Sequence, residues 1–250
     1  MILGIDIGGS GIKGAIVDVN TGDLISDRIR ISTPIPSKPK HVGSVIAEIV
    51  KRLNYQGIIG AGFPAVIKNG LSYSAANVHK DWKGINVEEL IQKATGCNAY
   101  VLNDADAAGL AEMRFGIGKE QSKGTVLFLT IGTGIGSAFF VNGLLMPNSE
   151  LGHLKIRGKD AEHRASDAVR QIKDLSWQEW SKKFEEILKT YEFLFNPDLI
   201  ILGGGISKKF DKYSKYIDIK TKIVPARLEN LAGIIGAAMA AAENLQMKTK

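Results

Sequence analysis

The chain reads as an α/β protein made of two similar halves with a cleft between them. Three observations predict this. Apolar, β-branched runs alternate with stretches of helical spacing along the 250 residues, the pattern of an α/β fold. Two segments about half a chain apart share a strand, a glycine-rich turn and a second strand: Ile5-Asp6-Ile7-Gly8 lies over Leu129-Thr130-Ile131-Gly132, and Gly14-Ala15-Ile16-Val17 over Gly136-Ser137-Ala138-Phe139. On this alignment the first turn is two residues longer. Finally, glycine-rich loops at Gly8–Gly14, Gly132–Gly136 and Gly203–Gly205 each follow an apolar run, where anion-binding loops of α/β proteins sit. A chance likeness of two glycine turns accounts for the duplication equally well at this point.

Composition sets wide bounds. Hydrophobic residues make up 44% and charged residues 23%, enough apolar material to fill sizeable cores. No run of about 18 apolar residues occurs, so no membrane span is expected. The start, Met1-Ile2-Leu3-Gly4-Ile5-Asp6, has no basic region before its apolar residues, so no signal peptide is expected. Cys97 is the only cysteine; it excludes an internal disulfide and a cysteine-built zinc site, suits a reducing cytosol, and reads as a buried inert thiol. The net charge of +6 favours anionic partners. No nucleic-acid-binding motif accompanies it.

In chain order, residues 2–19 predict a hairpin across Gly8–Lys13, followed by a turn at Asn20-Thr21-Gly22 and a third strand near Leu24–Ile31. Gly9, Gly11 and Gly14 spell the dinucleotide pattern G-x-G-x-x-G. That fingerprint needs a helix opening inside the glycines, whereas Ile16-Val17-Asp18-Val19 continues as strand. Thr33–Lys40 is proline-rich loop. Val42–Leu53 has helical spacing, Ile58–Phe63 is a strand stopped by Pro64, and Val87–Thr95 is a helix closed by Gly96. Tyr100-Val101-Leu102 is a strand running into Asn103-Asp104-Ala105-Asp106, with a helix over Ala107–Phe115. After the central hairpin come a turn at Asn142-Gly143 and a polar loop through Glu150-Leu151-Gly152-His153. One helix is predicted over Ala161–Leu175 and a longer one over Trp177–Phe195, stopped by Pro197. A strand at Leu199–Leu202 feeds Gly203-Gly204-Gly205, and Asn230–Glu243 is a close-packing helix of small residues.

Glycine lets backbone N–H groups approach an anion with no Cβ in the way, so the three loops predict phosphate cradles. None contains the P-loop pattern. Asp104, at a strand end before a helix, can accept a proton from a substrate hydroxyl while the helix dipole keeps it ionised. It can equally be the helix N-cap; Asp104 and Asp106 compete for that position, and spacing alone leaves the two readings level. Glu150, His153 and Glu162 can hydrogen-bond the hydroxyls of a sugar. A solvated polar loop is an equal alternative, and a metal site lacks ligands because His41, His79 and His163 are scattered.

Together the motifs Asp6-Ile7-Gly8-Gly9-Ser10-Gly11-Ile12-Lys13, Asn103-Asp104-Ala105-Asp106, Ile131-Gly132-Thr133-Gly134-Ile135-Gly136 and Glu150-Leu151-Gly152-His153 resemble the ROK sugar kinases. Ser74-Ala75-Ala76-Asn77-Val78, Pro147-Asn148-Ser149 and Gly158-Lys159-Asp160-Ala161-Glu162 resemble the polyphosphate glucokinase branch of that family. The resemblance implies two duplicated ribonuclease-H-like domains of the actin/hexokinase type flanking a cleft. One would span 1–105 and be completed by a C-terminal helix at about 236–250; the other would span 106–235. It implies that Asp104 is the general base for a sugar 6-hydroxyl. Asn77, Asn103, Asp104, Glu150, His153 and Glu162 would hold the sugar. Gly8, Gly9, Ser10, Gly11 and Lys13 would hold the phosphoryl donor together with Gly132, Thr133, Gly134 and Gly136, while Gly203, Gly204 and Gly205 form the nucleotide-side loop. Asp6 would hold Mg²⁺ through water.

Most ROK proteins carry a cysteine-rich zinc motif between the positions of His153 and Glu162. This chain has none there, so no zinc is expected. No helix-turn-helix precedes Met1, which speaks against a repressor. The implied activity is a cytoplasmic hexose kinase that uses polyphosphate, with ATP as the other donor, on glucose; the implied assembly is a homodimer without nucleic-acid or membrane partners. The rival readings are an ATP-dependent glucokinase or mannokinase, a non-catalytic sugar sensor and an actin-like filament protein. Lys208, Lys209, Lys212, Lys215, Lys220 and Lys222 crowd the segment after Gly205, a field that would draw in a long polyanion or form a plain solvated face.

Overall fold

The computed structural model describes residues 1–75, 78–121 and 123–248, with the backbone alone at Lys248. Two compact units emerge: 1–111 with 231–250, and 112–230.

The first unit opens with the hairpin β1 (Ile2–Ile7) and β2 (Ile12–Val17), in register from Ile2↔Val17 to Ile7↔Ile12. The turn is therefore Gly8–Gly11. A short β3 (Ile29–Ile31) adds to β2. The expected strand from Leu24 is confined to these three residues plus one bridge, Val17↔Leu24. The reason is local: Ser26 Oγ accepts the Ile16 N–H at 3.0 Å, taking the place of a ladder carbonyl. Helix α1 (Pro39–Arg52) begins inside the expected loop, with proline in its first turn where no N–H partner is needed. Next come β4 (Ile59–Phe63), a small hairpin β5 (Ile67–Lys68) and β6 (Leu71–Ser72), and α2 (Val87–Thr95). Helix α2 ends at Gly96 in the left-handed conformation, as its sequence requires. Strand β7 (Ala99–Asn103) then runs directly into α3 (Asp104–Arg114). The sheet order is β3-β2-β1-β4-β7, with β1, β4 and β7 parallel. Its centre is covered on both faces, so β1 reads as a continuous apolar run rather than an alternation.

The second unit repeats that order. Strands β8 (Thr125–Ile131) and β9 (Ile135–Val141) form its hairpin, and β10 (Leu144–Met146) adds across the Asn142-Gly143 turn. A second small hairpin, β11 (Lys155–Ile156) with β12 (Lys159–Asp160), precedes α4 (Ala161–Ala165) and α5 (Asp167–Ile172). The single helix expected over 161–175 is thus two. Ser166 is extended (ψ 161°), and its hydroxyl accepts from Val169 N–H to start α5. The buried Trp180 indole donates to the Ala165 carbonyl at 3.0 Å, which satisfies the end of α4. Helix α6 (Trp177–Phe195) has a reciprocal capping box between Ser176 and Glu179 and ends at Asn196 with φ 44°. Strand β13 (Leu199–Gly203), the short α7 (Phe210–Tyr213) and β14 (Lys222–Pro225) complete an order of β10-β9-β8-β13-β14, with β8, β13 and β14 parallel.

The chain finally returns to the first unit as α8 (Ala232–Lys248), which runs beyond the expected Glu243. A Cβ on Gly4 would strike the Ile234 carbonyl, and one on Gly60 the Ala237 carbonyl. These absent side chains let α8 lie directly on β1 and β4, the close packing its small residues predict. Each unit has its own apolar core. Phe63 packs on Trp82 at 4.6 Å in the first, and Trp180 stacks on Phe184 at 4.8 Å in the second. Each such buried apolar side chain contributes about 1.5–3 kcal/mol.

Candidate active site

In the first unit the parallel strands bring the chemistry to one sheet edge. Asp6 lies level with Gly62, and Gly62 with Leu102. Asp6, the Gly8–Gly11 turn and the Asn103-Asp104 junction therefore share the C-terminal end of the sheet. The turn is closed by Gly8 N–H to Gly11 O at 3.1 Å. Arg30 donates to Ser10 O at 3.1 Å and Thr33 to Gly8 O at 2.5 Å, which fixes the outer face of the turn. Lys13, directly across from Asp6 in the ladder, donates to its carboxylate at 2.8 Å. Asp6 also faces the first turn of α8, where a Cβ on Gly233 would sit 2.9 Å from its Cγ.

Asn103 resolves the competition for the α3 cap. Its side-chain carbonyl accepts from Ala105 N–H at 2.8 Å and Asp106 N–H at 3.1 Å, while its amide donates to Ala65 O at 3.2 Å. Neither Asp104 nor Asp106 is the cap. The reason is the helix start: α3 begins at Asp104, three residues before the expected Ala107, so the capping position falls on Asn103. Asp104 itself is partly exposed on the first turn, and its Oδ1 accepts from Ala105 N–H at 2.8 Å. Asn77 lies outside the described residues.

In the second unit the β8–β9 register pairs Ile131 with Ile135, leaving Gly132–Gly134 as the turn, closed by Gly132 N–H to Gly134 O at 3.0 Å. The first turn is thus longer by one residue, not two: the ladder extends to Ile7↔Ile12 and Ile131↔Ile135, inside the span aligned by sequence. The Gly203–Gly205 loop is at the same sheet end, with Gly203 beside Thr130. Gly204 has φ +77° and packs against the Ile131 backbone, and Ser207 Oγ donates to its carbonyl at 2.8 Å.

Glu150, His153 and Glu162 come together. A 3-10 turn over Leu151–His153 is held from three sides. The Leu151 N–H donates to Ser137 Oγ at 3.0 Å, and the buried Tyr191 hydroxyl donates to Leu151 O at 2.7 Å. Gly152 lies so near the Ile135 carbonyl that no side chain fits. His153 Nδ1 is 3.2 Å from Asp160 Oδ2 and 3.9 Å from Glu162 Oε1, and Nε2 is 3.7 Å from Glu150 Oε2. Burial raises the Glu150 carboxyl above the ordinary carboxylate range; His153 opposes this and the Glu162 charge adds to it. The other Glu162 oxygen accepts from Ile135 N–H at 3.2 Å, and a Cβ on Gly134 would collide with it. One carboxylate therefore belongs both to the polar cluster and to the glycine turn.

Sequence reasoning passed over Ser137, Asp160 and Tyr191. For Asp160 a signal existed: Arg157-Gly158 between short alternating runs predicts a two-residue hairpin turn. For Tyr191 no local pattern points to a contact 40 residues away. Among the described residues no group of three or more His, Cys, Asp or Glu side chains is set to hold a metal ion, and no helix is long and apolar enough to cross a membrane.

The chain is 50% identical over 238 residues, 95% of its length and 89% of the relative's, to a polyphosphate glucokinase of Mycobacterium tuberculosis (strain CDC 1551 / Oshkosh). Its fold superposes with a TM-score of 0.93 on the crystal structure of an inorganic polyphosphate/ATP-glucomannokinase from Arthrobacter sp. strain KM, at 47% identity, covering 97% of this chain and 98% of that one. A ROK family glucokinase from Streptomyces griseus in complex with glucose and AMPPNP shares the fold at a TM-score of 0.80 and 22% identity, covering 97% and 99%. Residues 2–166 match the ROK family profile, and this α/β chain belongs to the ROK family.

Proposed function

We propose that this chain is a hexose kinase that transfers the terminal phosphoryl group of inorganic polyphosphate to the 6-hydroxyl of glucose. The products are glucose 6-phosphate and a polyphosphate one unit shorter, and ATP serves as an alternative donor. The observation that carries the reading is the double engagement of Glu162. Its carboxylate accepts the Ile135 N–H at the glycine turn and stands beside His153, so a phosphate-sized turn and a sugar-sized polar cluster are built as one piece. The 50% identity to a polyphosphate glucokinase supports the same conclusion. We take the two compact units as duplicated ribonuclease-H-like domains, on the strength of their matching strand orders.

In this reading Asp104 accepts the proton of the 6-hydroxyl as the oxygen attacks phosphorus. Glu150, His153 and Glu162 orient the sugar through its other hydroxyls, with Asn77 and Asn103 as further sugar ligands. The turns Gly8–Gly11 and Gly132–Gly136, through N–H groups other than those of Gly8, Gly132 and Ile135, which are bonded internally, hold the donor oxygens together with the loop Gly203–Gly205 and Lys13. Phosphoryl transfer needs this positioning and charge neutralisation more than covalent chemistry. Asp6 fits Mg²⁺: it is a single carboxylate at a strand end beside a glycine turn, and Mg²⁺ characteristically takes one or two carboxylates and fills its shell with water and phosphate oxygens. When bound, the ion supplies neutralisation of developing phosphate charge. We place the activity in the cytoplasm, as a homodimer, with no nucleic-acid or membrane partner.

The test is a coupled assay for hexose 6-phosphate with glucose, mannose and glucosamine, each with polyphosphate or ATP and Mg²⁺. Turnover of glucose with polyphosphate is expected. No turnover with either donor would leave a sugar-sensing role, and turnover with ATP alone would restrict the donor.

A further inference from the structure

We propose that Asp160 is a positioning residue for the sugar-binding imidazole: it accepts a hydrogen bond from His153 Nδ1–H and so presents Nε2 as an acceptor for a sugar hydroxyl. The inference rests on the reading of His153 as a sugar ligand. Asp160 occupies the N-cap position of α4, where an aspartate ordinarily accepts a backbone N–H of the first turn. Here its side chain makes no capping bond. Its carboxylate is turned instead to His153, with Oδ2 3.2 Å from Nδ1.

The backbone delivers it there. Arg157 (φ +50°) and Gly158 (φ +77°) form a two-residue turn of the kind that closes tight hairpins, and the ladder then sets Asp160 across from Lys155. Ala161 N–H to Leu154 O at 2.9 Å closes the base of this hairpin, and Arg157 anchors its tip to Glu186 of α6 at 2.5 Å. Asp160 therefore returns beside His153, seven residues on.

Among the described residues three carboxylates face the ring, and distance distinguishes them. Glu150 lies 3.7 Å from Nε2 and Glu162 3.9 Å from Nδ1, both beyond hydrogen-bond range, and Glu162 is engaged by Ile135. Only Asp160 is close enough to select which nitrogen carries the proton. A neutral imidazole with Nδ1–H must offer its lone pair at Nε2.

The experiment uses the full chain and ¹⁵N chemical shifts of the His153 ring, assigned by comparison with His153→Gln, at about pH 8.5, where an ordinary imidazole is neutral. The wild-type ring is expected as the Nδ1–H tautomer without substrate. Asp160→Ala removes the acceptor of Nδ1–H, at no loss of a capping bond, and should shift the ring towards Nε2–H. The glucose KM should then rise about tenfold, the size of one lost hydrogen bond, while the polyphosphate KM changes less than about twofold, because the lost contact is to the sugar alone. A wild-type ring that is Nε2–H or still doubly protonated would overturn the proposal, as would an Asp160→Ala glucose KM within about twofold of wild type. A wild-type protein that phosphorylates no hexose would defeat the functional reading instead, and the tautomer measured without substrate would still decide the role of Asp160.

Discussion

At the proposed site, single side chains carry features that the fold around them does not require. Glu150 is the clearest case. Its carboxyl is raised by burial and by the nearby Glu162 charge, so between the ordinary carboxylate pKa and the raised one the folded state holds more protons than the unfolded chain. Stability contributed by this group therefore falls as pH rises through that window. Glu150→Gln should raise the melting temperature at pH 7 and change it little at pH 4; a lower melting temperature at pH 7 would contradict the sign. On the proposed role of Glu150 as a sugar ligand, sugar binding should show the opposite trend, because the ionised form would be the acceptor. The glucose KM of the wild type should climb on acidification before an ordinary carboxylate would titrate, and Glu150→Gln should lose that limb. Asp104 is the second case. Its role could not be read from spacing because a strand-end aspartate is also a natural helix cap; the geometry gives that task to Asn103. With capping removed from its duties, Asp104→Asn should leave glucose binding measurable by calorimetry while kcat falls by about 10²–10⁴, the usual worth of a general base. Near-wild-type turnover would exclude the assignment.

At the level of elements, legibility followed the range of the interactions. Helices α2 and α6 were readable to the residue because their ends are set locally, by Gly96 in the left-handed conformation and by the Ser176–Glu179 capping box. The break between α4 and α5 was not, since Ser166 is as good a cap as it is a helix-surface residue and the deciding partner is the Trp180 indole from another helix. The Glu150–His153 turn makes the same point. Its motif could be read as a sugar-binding signature, but one of the supports that hold its shape is Tyr191, a buried phenol on α6 that donates to Leu151 O. Leu151 O keeps its Leu154 N–H bond when that phenol is removed, so Tyr191→Phe should cost only about 0.5–1.5 kcal/mol of stability. The glucose KM should nevertheless rise, since the turn loses a lateral support, and the KM for the phosphoryl donor should not. Equal changes in both would mean that Tyr191 supports the unit at large rather than this turn.

For the molecule as a whole, the sequence predicted one basic field after Gly205, and the sheet divides it. All six lysines from Lys208 to Lys222 are exposed, but they do not lie at one place. Lys208 and Lys209 follow the Gly203–Gly205 loop after two residues, the second of which, Ser207, is bonded to Gly204 O. Lys222 pairs with Leu199 at the far end of the parallel strands, four residues of strand rise from Gly203, or about 13 Å. Lys220 sits beside Glu192 of α6; burial works to raise that carboxyl, and the hydrogen bonds from Thr221, with a lesser part from Lys220, hold it below its ordinary pKa. Position in the chain concealed this because a short helix and a turn separate the two groups and reverse their direction. On the proposed path a polyanion held by the glycine loop meets Lys208 and Lys209 first; Lys208 is also drawn to Glu229 at 2.6 Å, and the Lys209 ammonium lies over the Trp177 ring at 5.7 Å. An exposed charge pair at contact is worth about 1 kcal/mol in water, or about fivefold in affinity per lysine. Lys208→Ala with Lys209→Ala should therefore raise the KM for long-chain polyphosphate by more than tenfold at low salt, with a smaller effect on ATP. The difference from wild type should shrink as added salt shortens the range of the field. Lys220→Ala with Lys222→Ala is the matched control of equal charge change. If that pair weakened polyphosphate use as much as the first, the effect would come from net charge alone, and the donor would have no defined path along the Gly203–Gly205 end of the sheet.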